Sequence, residues 1–394
     1  MHAQTWHMLR PSCRQQGGGR RRAATAAAAV AVCAMTLGSL APPAASSARP
    51  DAVQQGLDAL VRSDGLPAAL ASVQDVKGRA RTYTAGLGDL ATGARVPQDG
   101  QVRVGSTTKT FTAVVVLQLV TEGKVGLDDN VDTHLPGLVR GEGIDGRGIT
   151  VRELLQHTSG IPDYEKEVDD AFLQRRYLEP RDILDIALRK KADFAPGKGW
   201  AYSNTNYVLA GLIVQKVTGR PLAEEIDKRV VRAVGLRHTY FPPAGDTTVR
   251  ERHPRGYRQE SAGEPWRDVT DIDPSASWAA GQMISTNSDL NRFYTALLAG
   301  DLLEDAQLAE MRTTVPLGNT GAGYGLGIMS RPLSCGGLYW GHGGDIMGYE
   351  TRGGVTEDGR AAANVTVTAV PTDVATTRRV ENTVDTALCS AKQK

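Results

Sequence analysis

Neither sign of charge dominates this sequence. Across 394 residues, 45 Lys and Arg face 44 Asp and Glu, for a net charge of +1. Residues 1–48 hold five Arg (Arg10, Arg14, Arg20, Arg21, Arg22) and no Asp, Glu or Lys, so the remainder carries 40 basic against 44 acidic side chains. Such a weakly acidic body lacks the clustered Lys and Arg that phosphate contacts need, which argues against a nucleic-acid partner. Metal-site patterns are missing too. There is no His-Glu-x-x-His, and of the 4 Cys two fall within residues 1–48 while the other two, Cys335 and Cys389, lie too far apart in sequence to suggest a zinc site. Beyond one N-terminal stretch, no run is apolar and long enough to span a bilayer. Internal repeats, low-complexity tracts and long linkers are absent, which excludes fibrous and largely disordered classes.

The N-terminal stretch reads as an export signal. Arg20-Arg21-Arg22 forms a positive start, residues 23–40 are rich in Ala, Val and Leu, and Pro42-Pro43 breaks the run. Ser46-Ser47-Ala48 supplies small residues for cleavage after Ala48, with Ala45 as the alternative. A retained anchor is the rival, but the run sits at the lower limit for spanning and its Ala-richness makes it weakly apolar. The expectation is a secreted protein without a stable membrane anchor. Cys13 and Cys33 leave with the leader, and Cys335 and Cys389 remain. An even number in an oxidising compartment predicts a disulfide between them; two buried free thiols are the alternative.

Periodicity predicts a helix over 51–62 and strands over 69–73, 81–86 and 88–92. From residue 107 to 219 the pattern is helical: an apolar helix over 110–122 closed by Gly123, amphipathic segments over 151–157 and 181–188, and a buried helix over 206–218 stopped by Gly219. Strand patterns return over 323–329, 337–340, 349–355 and 361–370, and 383–388 reads as a closing helix. Strands at both ends with helices between predict an α/β domain built from 49–105 and 275–394, and a mainly helical part from 106–274, with the active site at their interface.

Three short motifs carry chemistry. Gly105-Ser106-Thr107-Thr108-Lys109 precedes an apolar helix, so Ser106 and Lys109 share one face, one turn apart. A serine hydroxyl becomes a nucleophile only when a base takes its proton. Alone the pair also fits an N-capping Ser with a surface Lys. Tyr202-Ser203-Asn204 supplies a candidate base in Tyr202, provided a cation such as Lys109 depresses its acidity constant; a tyrosine at a pocket rim is the plainer reading. Asn204 can bond both a substrate amide and the lysine. His342-Gly343-Gly344 offers a strand edge that a substrate backbone can approach, unless the two glycines mark an ordinary turn. There His342 can donate to the site, and the Asp345 N–H can join that of Ser106 in an oxyanion hole.

In this order the motifs resemble those of the serine β-lactamase and penicillin-binding family. Tyr-Ser-Asn with His-x-Gly is the form of the branch that holds secreted actinobacterial D-alanyl-D-alanine carboxypeptidases and class C β-lactamases. Residues 149–164 (ITVRELLQHTSGIPDY), 195–219, 277–290 (SWAAGQMISTNSDL) and 324–328 also look like that branch, so the resemblance covers nearly all of the chain after the leader. It implies an α/β (α+β) fold, with an antiparallel sheet flanked by helices plus an inserted all-helical domain. It implies an acyl-enzyme on Ser106, with Tyr202 and Lys109 moving the proton, and neither metal nor organic cofactor. The implied ligands are small peptides or peptidoglycan stems, with β-lactams as acylating compounds. His157 is expected to pack rather than react, and Trp278 to line the pocket.

The sequence also departs from that pattern. The strict carboxypeptidases resemble one another in a hydroxyl at the middle of the third motif and an Arg on the neighbouring strand. Here those positions hold Gly343 and Met329, while Asp345 adds an anion and Arg331 is the nearest candidate for the missing cation. His-Gly-Gly is similar to the D-aminopeptidases and D-stereospecific amidohydrolases of the family. The expected function is therefore a secreted serine peptidase or amidohydrolase acting beside D-amino-acid residues, with relaxed dependence on a substrate carboxylate. The alternatives are a strict D-alanyl-D-alanine carboxypeptidase in peptidoglycan metabolism, a class C-like β-lactamase or esterase, and a non-catalytic penicillin or peptidoglycan sensor.

Overall fold

A ten-stranded antiparallel sheet carries the architecture. The structure, a computed structural model, describes residues 51–168, 176–261 and 263–393; the expected leader lies outside the described residues. Helix α1 (Ala52–Arg62) starts where the Asp51 carboxylate accepts the Val53 N–H at 3.0 Å. It leads into β1 (Ala68–Gln74), β2 (Ala80–Asp89) and β3 (Ala94–Arg95). The strand expected over 88–92 does not stand alone, because β2 runs through Gly86 to Asp89 and the chain turns after it.

The chain then leaves the sheet. A 3-10 turn at Gly105–Thr107 runs directly into α2 (Thr108–Thr121). After it come α3 (Val151–Gln156), α4 (Pro180–Leu188) and α5 (Asn204–Thr218). Helix α5 is capped by Gly219 in the left-handed region, φ 67°. Helix α2 is buried on nearly every side, its apolar middle and the threonines of its first turns alike. Phe111 of α2 stacks on Phe293 of α6 (Asn287–Leu298) with ring centroids 3.8 Å apart.

The chain returns to the sheet through β4 (Val315–Pro316), β5 (Gly323–Tyr324), β6 (Met329–Pro332), β7 (Leu338–Gly341), β8 (Gly344–Ile346), β9 (Tyr349–Thr356) and β10 (Ala362–Val367). Spatially the order is β4-β5-β6-β7-β9-β10-β1-β2-β3, with β8 paired to β9. The closing helix α7 (Val374–Lys392) is far longer than the 383–388 core that periodicity marks, since Asp373 caps its polar first turns.

Alternation along β1 explains the layering. Ala69, Ala71 and Val73 join a core formed with α1 and α7, whereas Ala68 and Leu70 enter the larger core that contains α2, α5 and α6. On that second face β10 turns Asn364 and Thr366 inward. Both donate to α6: Asn364 Nδ2 to Asn291 Oδ1 (2.8 Å), and Thr366 Oγ1 to Asn287 Oδ1 (2.9 Å). The described residues belong to one compact unit. Within it every strand of the large sheet comes from 49–105 and 275–394, while α2 to α5 come from 106–274. The Cys335 and Cys389 sulfurs are joined, with Cα atoms 5.8 Å apart, tying the β6–β7 turn to α7. Among the described residues no helix is long and apolar enough to cross a membrane.

Candidate active site

Ser106 sits in the 3-10 turn and Lys109 in the first turn of α2, so local geometry alone faces them together. Lys109 Nζ lies 2.9 Å from Ser106 Oγ, 2.5 Å from Asn204 Oδ1 and 2.9 Å from the Ala280 carbonyl. Two of these partners can only accept. A neutral amine therefore spends both N–H groups on Asn204 and Ala280 and turns its lone pair to the Ser106 hydroxyl. Burial pushes Lys109 down to about 7, against the opposing pull of Glu165, Asp163 and Asp345.

Tyr202 completes the group, with its ring centroid 4.8 Å from Lys109 Nζ and its side chain lining the same cleft as Ser106. The expected depression of this phenol by Lys109 does not occur. Burial pushes Tyr202 well above the usual tyrosine range and outweighs the lowering influence of nearby Ser106. Lys109, not Tyr202, is the group poised near neutrality. Asn204 is held in place by Asp163, whose Oδ2 accepts from Asn204 Nδ2 at 3.2 Å. Asp163 is nearly buried and its carboxyl is raised by desolvation. Sequence reasoning missed it, although it lies within the quoted segment 149–164.

The third motif packs against the first. A Cβ on Gly344 would stand 1.9 Å from the Val104 carbonyl and 2.8 Å from Ser106 N, and one on Gly105 would stand 3.0 Å from Asp345 N. Only glycine at 344 lets β8 press so closely on the Ser106 turn, the close packing that an oxyanion hole shared by the Ser106 and Asp345 N–H groups requires.

His342 lines the cleft with both ring nitrogens engaged: Nδ1 is 2.5 Å from the Gly343 carbonyl and Nε2 is 2.9 Å from Tyr324 Oη. Burial, aided by Lys109, lowers it to about 3, so it is neutral. His157 packs as expected, in the left-handed region (φ 64°), with its ring 4.4 Å from that of Tyr202. Trp278, expected in the pocket lining, lies instead against Gly211 of α5, 2.8 Å from where a Cβ there would sit. Trp200 lines the cleft in its place.

The cleft holds about 320 Å³ and opens beside a larger one of about 780 Å³ that shares Glu165, Ser277 and Asp345 with it. Arg331 lines the smaller cleft, but Glu381 takes its guanidinium at 2.7 Å. Asp345 is gripped by Arg352, which sequence reasoning did not single out.

A helix-flanked antiparallel sheet and this Ser–Lys–Tyr arrangement place the protein in the serine-hydrolase class. The sequence matches the family described as Beta-lactamase over residues 14–387, and the chain belongs to that family. Among solved structures it is similar to a D-stereospecific amidohydrolase from Streptomyces sp., at 41% identity and TM-score 0.78, covering 84% of this chain and 97% of that one. It is also similar to D-amino acid amidase from Ochrobactrum anthropi SV3, solved with L-phenylalanine amide, at 28% identity and TM-score 0.75 over 86% and 97% of the two chains. Penicillin-binding protein 4* of Bacillus subtilis (strain 168) is 29% identical over 259 residues, 63% of this chain and 56% of that relative's length. The chain thus spans little more than half of this curated relative.

Proposed function

We propose that the protein is an exported serine acyl-hydrolase that cleaves amide bonds beside D-amino-acid residues and does not depend on a free substrate carboxylate. The observation that carries this reading is the Lys109–Ser106 contact at 2.9 Å, with the other two directions of the amine fixed by Asn204 and Ala280. Neutral Lys109 takes the Ser106 proton as Oγ attacks the carbonyl carbon. The Ser106 and Asp345 N–H groups receive the oxyanion. Collapse breaks the bond to the leaving group, which accepts a proton from the Tyr202–Lys109 pair. Water then enters, gives a proton back to the same pair and releases the acid and free Ser106. Asn204 positions Lys109, and Gly343 and Gly344 shape the cleft edge. His342, with no free nitrogen, is assigned to positioning rather than proton transfer.

The amidase and amidohydrolase neighbours support an amide substrate with D stereochemistry. Met329, Gly343 and the Arg331–Glu381 pair weigh against strict carboxypeptidase action, because no unpaired cation on β6 awaits a carboxylate. The positively charged start and the Cys335–Cys389 bond support export, with cleavage near Ala48. The test is turnover of D- and L-phenylalanine amide and of matched D,D and L,L dipeptides, together with labelling by a fluorescent penicillin. Wild type should favour the D series, and Ser106→Ala should abolish turnover and labelling with its fold unchanged. Equal rates for both stereoisomers, or an acyl-enzyme on the alanine variant, would refute the assignment.

A further inference from the structure

Gly343 leaves open a space that the chain itself fills. A Cβ added there would stand 3.0 Å from Arg352 Cδ and 3.1 Å from Arg352 Nη1, closer than ordinary contact. Arg352 rises from β9 into the wall of the cleft beside Ser106. The site therefore does possess a cation where a carboxylate-bearing substrate would meet the third motif. That cation is already engaged. Nη1 donates to Asp345 Oδ1 (2.6 Å) and to the Thr351 carbonyl (3.0 Å); Nη2 donates to Asp345 Oδ2 (3.1 Å) and faces Glu350 Oε2 at 3.2 Å. Three of the four terminal N–H groups of the guanidinium are thus donated, two of them to Asp345, and Glu350 adds an ion pair. Asp345 and Glu350 sit opposite each other on β8 and β9, so the lock is set by strand register. Glu350 is buried and Asp345 half-exposed at the cleft, so it is the Asp345 carboxylate that an incoming anion would meet.

We propose that Arg352 and Asp345 together set the charge specificity of the cleft: Arg352 is the cation a substrate carboxylate would need, and Asp345, with Glu350 behind it, withholds it. The consequence is a site for amides or esters without a free carboxylate near the reacting bond. This inference rests on the acyl-hydrolase reading above. It also fixes a role for Asp345 that differs from direct capture of a substrate ammonium, because its two oxygens already hold Arg352.

The experiment compares kcat/KM for N-acetyl-D-Phe-D-Ala and its C-terminal amide. Wild type should favour the amide at least tenfold. Asp345→Ala keeps the backbone N–H but frees two guanidinium donors, and should move the amide-to-acid ratio at least tenfold toward the acid. Adding Arg352→Met to Asp345→Ala should cancel that gain; the same pair with Glu350→Gln guards against a buried, unpartnered Glu350 unfolding the variant. Acylation of Ser106 by benzylpenicillin and by its methyl ester reads the same ratio with a second carboxylate and no peptide. An unchanged ratio in Asp345→Ala, with turnover or acylation intact, overturns the inference alone. So does a tenfold preference of wild type for the free acid that Arg352→Met removes. A wild type that hydrolyses neither peptide and is acylated by neither β-lactam fails the acyl-hydrolase reading, and the inference with it.

Discussion

The hydroxyl of Tyr324 stands 2.9 Å from Nε2 of His342 and, on its other side, 3.1 Å from Nε2 of His157. The direction of every proton in this row follows from its ends. The Ser203 N–H donates to His157 Nδ1 (3.2 Å), which makes that nitrogen an acceptor and places the proton on Nε2. The Gly343 carbonyl can only accept, so His342 Nδ1 carries the proton there and Nε2 is bare. Hence His157 donates to Tyr324, and Tyr324 donates to His342. Burial keeps both imidazoles neutral, as the row requires. It links the loop before α5, which bears Tyr202, to the third motif.

Tyr324→Phe should break that row. It leaves a buried N–H on His157 and a buried lone pair on His342 without partners, each costing roughly 1–3 kcal/mol. Denaturant unfolding should show a loss of that order, and kcat should fall as the third motif loosens. An unchanged unfolding midpoint would show that the row carries no stability.

Activity should climb with pH through about 7. Lys109 accepts the Ser106 proton only as the neutral amine, and burial has lowered it from the ordinary lysine value to about 7. Below that pH the ammonium dominates and acylation slows roughly tenfold per unit; above it the rate levels off. The pH profile of kcat/KM checks this, and a profile level from pH 5 to 9 contradicts Lys109 as the base.

Gly344→Ala should cripple the enzyme. The new methyl would fall 1.9 Å from the Val104 carbonyl, so β8 must withdraw from the Ser106 turn and carry the Asp345 N–H with it. Overpacking of this kind costs roughly 1–3 kcal/mol, and removing one oxyanion donor lowers kcat by roughly 10²–10³. Steady-state kinetics and a thermal melt measure both; wild-type kcat would show that the oxyanion hole lies elsewhere.

Removing the disulfide should loosen the α7 side of the sheet. The bond closes a segment with sequence separation 54, and such cross-links contribute roughly 2–4 kcal/mol, largely by restricting the unfolded chain. Urea unfolding of Cys335→Ser/Cys389→Ser against the oxidised protein tests this. If reductant leaves the wild-type midpoint in place, the bond adds nothing to stability.

Local chemistry in the sequence determined much of this protein. The Asp51 cap, the Gly219 stop and the apolar run within α2 are each legible within a few residues, because capping and an apolar run depend on near neighbours. Ser106 and Lys109 meet for the same reason, being one helical turn apart. Where the pattern was local but polar, it misled: the first turns of α7 carry threonines and exposed arginines that show no apolar period.

Tertiary structure alone decided the rest. Asp163 reaches Asn204, Tyr324 joins histidines 167 residues upstream and 18 downstream, and Arg352 enters the room left by Gly343. Burial, not the neighbouring charge, set the order in which Lys109 and Tyr202 give up protons. The physical reason is common to all four. A shared proton, a shared volume and a lowered dielectric are relations between groups that only folding brings together, and they leave no period or spacing along the chain.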